Sequence, residues 1–588
     1  MATLPSLAKE PESPALESPA DSPALSKAPK APFVYMRADS EKTSLSDSKD
    51  IASSTPRSGS EIDLEKAAGT PPSRTRRFFR AIRQYIDGHY ILTTTPNDKQ
   101  KYCYINTKRP IFLLIGLFAF LSSSAGLWLF ALSAHYFLWY APIVLLLQLH
   151  IFLSYALGAC ARDYDVAKHN EVLKEFPVAA NPATVDIYLP VCKEPMVILR
   201  NTWNHISKLE WNHGKLAVHV LDDGALDEVR AMAEEFGFNY IRRDDRPYFK
   251  KAGNLRYAFA RTSGDFFAVF DADFCPRPDF LLELMPRMQQ DPKIAILQTP
   301  QYFKTCPQNT WVERGSSEVQ ELFYRWSQVN RDRWNAAICV GSNALYRREA
   351  LKDVGGTALV AASEDVHTGW TLRYIPLCLA AGVSPDTPRA AFSQQIRWSQ
   401  GSTSLLMNKD FHTSGLGFMT KVCFLSGMLF YWTTSISMFT TPLPGLLMVW
   451  LRPEAMRYYN LAFALPSIIY ALLVYRIWSA GAYSLATEHI RVLQGYSYLF
   501  GIGNRIMGKS HEWVSSGATG KAHKGTNTYT KARIFAIIWT TLYQGAWLSG
   551  LATQIIRGGL IWWHVAPQIV LYAFDLYVTL PFLLTPSH

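Results

Sequence analysis

The sequence predicts an α/β domain inserted between transmembrane helices. Two observations carry this. Long apolar segments cluster near residues 110–160 and again beyond residue 420, and the stretch between them alternates apolar strand-like runs with helix-like ones. A third gives the domain its interest: several of its strand-like runs end in carboxylates, as at LDDG (221–224) and DAD (271–273). An open parallel sheet places its ligand crevice at such ends.

The chain has 588 residues, more than one soluble core usually holds. Apolar residues make up 48%, an ordinary value, so the membrane assignment rests on their clustering. The formal net charge of +11 gathers beside the apolar spans, which points to a membrane-facing surface. No zinc-finger or RNA-binding signature accompanies it, and no nucleic-acid partner is expected. The eight cysteines are dispersed without a CxxC pair, which fits reduced, structural thiols.

Residues 1–70 read as a disordered cytosolic tail rich in Pro, Ser and Ala, with no cleaved secretory signal expected. In 71–109, Arg74, Arg76, Arg77, Arg80 and Arg83 interleave with Phe78, Phe79, Ile82, Tyr85 and Ile86. That pattern suits a basic helix on an anionic membrane surface and equally an ordinary solvated helix start. Two transmembrane helices follow within 110–160, flanked by Lys108, Arg109, Arg162 and Lys168. Two spans return the chain to its starting side, so the domain at 165–403 is expected in the cytosol.

Within that domain TVDIYLPV (184–191), KLAVHVLDDG (215–224), DFFAVFDAD (265–273) and KIAILQTP (293–300) read as strands. Residues 226–236 and 252–261 read as helices between them. Neither GxGxxG nor a P-loop is present. Beyond the domain, 404–478 reads as an interface helix and two spans, with Pro442 and Pro444 setting off residues 446–451 as a re-entrant piece. A basic loop (479–533) and two last spans (534–583) complete a count of six. Six spans keep the loop, with Arg491, Arg505, Lys509 and Lys521, on the cytosolic side.

Carboxylates at two strand ends suit a nucleoside diphosphate, which they can hold only through a divalent cation such as Mg²⁺ or Mn²⁺. Asp273 and Asp271 are the candidate metal ligands, Asp222 and Asp223 the candidate contacts to base or ribose, and Lys251 of KAGN a phosphate contact. Glu364 and Asp365 of SED (363–365) supply a candidate general base. Gln394, Arg397 and Trp398 of QQIRW stand at i, i+3 and i+4, one face of a helix. Trp398 offers a sugar platform and Arg397 a fork of donors for phosphate oxygens. Helix capping would also explain a lone DxD, and a membrane-interface aromatic would explain Trp398.

DDG, DAD, ED and QxxRW in this order resemble the processive family-2 glycosyltransferases, which include cellulose, hyaluronan and chitin synthases. LPVCKEP (189–195), KAGNLR (251–256), QTPQYF (298–303), GSNALYRREAL (341–351) and EDVHTG (364–369) draw the resemblance towards cellulose synthases and their compact, fungal-type relatives. It covers roughly residues 105–585. The resemblance implies a GT-A type nucleotide-sugar transferase domain and a plasma-membrane enzyme that polymerises glucose from UDP-glucose into a β-1,4-linked glucan and extrudes it. It further implies that Asp222 contacts uridine, Asp273 lies nearest the metal and Asp365 is the general base. Trp398 would stack on the acceptor sugar while Gln394 and Arg397 hold diphosphate and acceptor. WVSSGATGKAHK (513–524) lies where the family carries a gating loop but matches it loosely. Ser363 replaces the family's Thr, and Phe249 stands where a histidine is usual. A mixed β-1,3/1,4-glucan, chitin, hyaluronan or a glycosylated lipid are the alternative products. The expected partners are the donor, the growing polysaccharide, the bilayer and a second copy of the chain in a homo-oligomer.

Overall fold

A computed structural model describes residues 92–105, 109–180, 182–306, 308–358, 372–413, 415–508 and 528–586. The 1–70 tail, the basic residues Arg74 to Arg83, Glu364 and Asp365, and the 513–524 stretch lie outside the described residues.

The domain is built on ten strands: β1 Val185–Val191, β2 Leu216–Asp222, β3 Asn239–Ile241, β4 Phe266–Val269, β5 Cys275–Pro276, β6 Ile296–Gln298, β7 Tyr302–Phe303, β8 Ala344–Arg347, β9 Leu372–Tyr374 and β10 Ala380–Gly382. Seven form one sheet in the order β3-β2-β1-β4-β8-β6-β9. The first four run parallel, with Val185 opposite Leu216 and Phe266. β8 enters antiparallel between β4 and β6, and β9 runs parallel to β6. A three-stranded sheet, β5-β10-β7, lies beside it. This mixed, Rossmann-like sheet is the GT-A-like architecture that the resemblance implies.

The continuous apolar runs have a direct cause. Side chains alternate across a strand, and both faces of this sheet are covered. Ile187 and Leu189 join one buried cluster with Leu199 and Trp203 of the helix Met196–Ile206. Tyr188, between them, joins the opposite cluster with Leu255 and Ala258 of the helix Lys250–Phe259. Because β1, β2 and β4 are parallel, their C-terminal ends share one edge, where Glu194, Asp223, Asp271 and Asp273 gather.

Among the described residues five helical segments are long and apolar enough to cross a membrane: Arg109–Leu132, His135–Cys160, Phe418–Leu451, Thr528–Ile556 and Trp562–Leu584. Leu114, Phe118, Leu121 and Leu132 stand exposed along the first, as lipid-facing residues do. The expected count of about six compares with these five and one shorter apolar helix, and two places differ in detail from the expectation. Residues 446–451 are not set apart: Leu443–Leu451 takes up the helix again two residues after Phe418–Thr440 ends. Pro444 sits in its first turn, where a missing N–H costs little. The span expected at 459–478 is the shorter apolar helix Leu465–Trp478, preceded by a 3₁₀ stretch, Tyr458–Phe463. Pro466 sits in its first turn, and with the 3₁₀ stretch before it the helical run extends over 458–478. No disulfide links the eight cysteines, all of which are described.

Candidate active site

β1 ends at Val191, and the chain turns through Lys193 in the left-handed region (φ 67°) to reach Glu194. The Cys192 N–H donates to Glu194 Oε2 at 2.5 Å. Burial pushes the Glu194 carboxyl up to about 7, and the charges of Asp271 and Asp222 add to the shift. Glu194 lines the candidate site without having been singled out from sequence; its only signal was its place in LPVCKEP.

The two aspartates that close β2 do different work. Asp222 is 1% exposed and turned inward. Its carboxylate accepts from the N–H groups of Ala225 and Leu226 at 2.9 and 3.0 Å, and from the Tyr240 hydroxyl at 2.8 Å. Asp223 lines the cavity described below, whereas Asp222 braces the turn behind it. Asp223 is gripped by both arms of Arg243, Nε and Nη2, at 2.7 Å each. The Arg243 side chain is fully buried. It donates onward to the carbonyls of Tyr248 and Lys250 at 2.7 and 2.9 Å. One guanidinium therefore ties the end of β2 to the start of the KAGN helix. Gly253 of KAGN is required by that approach, since a Cβ there would lie 2.1 Å from the Tyr248 carbonyl oxygen. Arg243→Ala, by leaving Asp223 buried without its partner, is expected to cost about 3–5 kcal/mol of stability. Thermal unfolding of the detergent-purified protein checks this, and an unchanged midpoint would count against it.

β4 delivers the DAD residues. The Asp271 N–H donates to Ser342 Oγ at 2.9 Å, fixing the loop against GSN. Lys251 Nζ donates to Asp271 Oδ1 at 2.6 Å and to the Gly341 carbonyl at 2.8 Å. The lysine expected at phosphate thus sits on the acidic pair. Burial pushes the Asp273 carboxyl up to about 7, with Asp271 and Glu194 adding to the shift and Lys251 opposing it. Oxygen ligands carrying this surplus of negative charge suit a hard divalent cation. Among the described residues no group of three His, Cys, Asp or Glu side chains is placed to hold an ion alone. A cation here would complete its shell with donor diphosphate oxygens.

The helix Pro388–Met407 brings the third group. Thr387 caps it, its side chain accepting from the Ala390 N–H, and Pro388 occupies the first turn. Gln394, Arg397 and Trp398 are half-buried on its cavity face, as their spacing predicts. Gln395, also at the cavity wall, accepts from the Tyr498 hydroxyl at 2.8 Å and from Gln494 at 3.3 Å. Those residues belong to the helix Leu485–Ile506. The two helices approach so closely that a Cβ at Gly501 would lie 2.1 Å from Ser399 Oγ.

A single cavity of about 1920 Å³ connects these groups. Its acidic end is lined by Glu194, Asp223, Asp271 and Asp273, its middle by Gln394, Arg397 and Trp398. It continues between membrane-length helices past Phe120, His150, Ser154, Phe430 and Tyr431. The described structure therefore brings together eight of the ten residues singled out from sequence in or directly behind one space. Glu364 and Asp365 lie outside the described residues.

Residues 186–355 match the family model described as glycosyl transferase family 2. The cellulose synthase catalytic subunit [UDP-forming] of Pseudomonas fluorescens is 34% identical over 303 residues, 49% of this chain and 41% of that one. Cellulose synthase 1 of Komagataeibacter xylinus is 36% identical over 266 residues, 43% of this chain and 17% of that one. The match spans less than half the length of these curated relatives. Among solved structures, a mannosyltransferase from Pyrobaculum calidifontis in complex with GDP-Man and Mn²⁺ aligns with 63% of this chain and 99% of its own, at 15% identity and a TM-score of 0.44. That likeness is too loose to transfer any chemistry. The motif order, the mixed sheet and the match over residues 186–355 agree: this region is similar to family 2 glycosyltransferases and, over less than half of their length, to cellulose synthase catalytic subunits.

Proposed function

We propose that the chain is an inverting, processive glycosyltransferase that polymerises glucose from UDP-glucose into a β-1,4-linked glucan and passes it across the plasma membrane. The observation that carries this reading is the continuity of the cavity from the DAD carboxylates, past Trp398, to the membrane-length helices. A transferase that released each product to water would have no use for such a passage.

The donor lies along the carboxyl edge of the sheet. Asp223 and Glu194 face its nucleoside end, and Asp222 with Arg243 keeps that rim in shape. Mg²⁺ or Mn²⁺ held by Asp273 and Asp271 would neutralise the charge that builds on departing UDP. Lys251 holds Asp271 in place and stands ready to donate to a phosphate oxygen. Arg397 and Gln394 donate to the diphosphate and the acceptor, and Trp398 lies flat against the terminal sugar. Asp365 takes the proton from that sugar's 4-hydroxyl. The hydroxyl oxygen bonds to the anomeric carbon as the bond to the UDP oxygen breaks, and UDP leaves with the electron pair. One displacement turns an α-linked donor into a β-linked product. With Leu465–Trp478 counted as a sixth crossing, Arg491, Arg505 and Arg533 share the domain's side of the membrane, and their charge supports a cytosolic placement.

Membranes containing the protein, supplied in turn with radiolabelled UDP-glucose, UDP-N-acetylglucosamine and GDP-mannose, test the reading. Polymer from UDP-glucose alone, cut by a β-1,4-glucanase, is the expected result. Lichenase sensitivity would move the product to mixed linkage, and activity only with UDP-N-acetylglucosamine would overturn glucan.

A further inference from the structure

Where the cavity leaves the α/β domain it meets a buried guanidinium with an unused donor. Arg331 lies on the short helix Gln328–Asp332, directly after a π-helical turn, Phe323–Ser327, which also lines the cavity. Only 6% of Arg331 is exposed. Nη2 donates to the Cys423 carbonyl at 2.9 Å, whereas Nη1 is buried with no hydrogen-bond partner. A buried donor left without a hydrogen bond is costly, and more so when it is charged.

The surroundings explain how the arginine sits there and what it lacks. It packs into a notch in the membrane-length helix at Gly427, where a Cβ would lie 2.1 Å from Nη2. Its guanidinium carbon lies 6.0 Å from the Phe424 ring. Burial lowers its pKa, and the neighbours that oppose the drop are Cys423 and Tyr431, neither of them a carboxylate. Ser154 and Ser426, with hydroxyl oxygens 3.4 Å apart, line the same cavity. The passage here offers hydroxyls, aromatic faces and one cation short of an acceptor.

We propose that Arg331 holds the growing glycan at the mouth of the membrane passage, Nη1 donating to a hydroxyl or ring oxygen of a sugar already added. This rests on the glucan-synthase reading above and adds a residue to it. A neutral polyol is the ligand that fits. A carboxylate-bearing sugar would pair with a buried guanidinium in a low-dielectric site and stop a chain that has to keep moving. A single hydrogen bond to a neutral oxygen holds the chain against backward release yet lets it advance. Because Nη1 is buried as the residue stands, reaching the sugar requires the guanidinium to turn from this pose and exchange the Nη2 bond to the Cys423 carbonyl for the sugar oxygen.

Product length is the readout, because mean length is set by elongation relative to release. Membranes with wild-type protein are first shown to polymerise from UDP-glucose; failure at that point would overturn both the glucan reading and this inference. Given wild-type polymer, Arg331→Gln is expected to shorten the product about tenfold, the loss of one charge-assisted hydrogen bond, with the KM for UDP-glucose unchanged. Arg331→Lys, which keeps the charge and most of the packing, serves if the glutamine variant fails to accumulate, and is expected to give intermediate lengths. Wild-type lengths from either variant would overturn the inference alone. So would a raised KM for UDP-glucose with lengths unchanged, which would move Arg331 to the donor.

Discussion

Asp365→Asn is expected to lower incorporation of labelled sugar by about 10²- to 10⁴-fold, the loss that follows removal of a general base. Asparagine keeps the shape and hydrogen-bonding reach of the side chain but cannot take the acceptor's proton. Insertion into the membrane and affinity for UDP should be unchanged, which separates lost chemistry from lost structure. Glu364→Gln, one residue away, serves as the control, since a role confined to the neighbouring acid leaves its loss milder. Unchanged incorporation by Asp365→Asn would remove the base from this position and send the search to the other carboxylates facing the cavity.

The second large effect is at the DAD pair. Asp273→Asn is expected to cut turnover about 10²- to 10³-fold, as removal of one preorganised electrostatic contact does. Chelation of wild-type membranes should give a comparable loss that Mn²⁺ or Mg²⁺ restores. The variant should stay inactive at saturating metal, because its defect lies in the ligand. Recovery of Asp273→Asn by metal alone would make Asp271 the principal ligand. Insensitivity of the wild type to chelation would take the cation out of the reaction. Asp271→Asn is the sterner case electrostatically, since it also removes the charge that pairs with Lys251 at 2.6 Å.

Much of this site was legible because its residues stand at places where sequence periodicity fixes geometry. Asp223, Asp271 and Asp273 follow apolar runs whose burial on both faces made them parallel strands, so their ends had to share an edge. Gln394, Arg397 and Trp398 needed only a helix to face one way. What escaped was set by contacts between distant segments. Nothing in IRRDDRP marks Arg243 as the residue that clamps Asp223, because the pairing depends on how the loop folds back over the sheet. Asp222 and Asp223 are adjacent and chemically identical, yet one turns into the core and the other to the cavity. β8 runs antiparallel between two strands, and an apolar run carries no record of its direction. The form of the apolar segment at 458–478 has the same origin: Tyr458–Phe463 winds as a 3₁₀ stretch, which hydropathy alone does not distinguish from an α-helix.

The undivided cavity also bears on inhibition. If the chain uses UDP-glucose as proposed, a nucleotide analogue alone would have to compete with a cellular pool of donor. A molecule carrying a uridine-like end and an oligosaccharide-like end, joined by a tether matched to the distance between Asp223 and Trp398, would occupy both regions at once. Its second end would bind at an effective concentration in the millimolar range, so overall affinity could exceed that of either half by about 10²- to 10⁴-fold without any new contact. Enzymes that use UDP-sugars but have no room for a polymer beside the donor would feel only one half of such a compound, which makes the shared space a basis for selectivity.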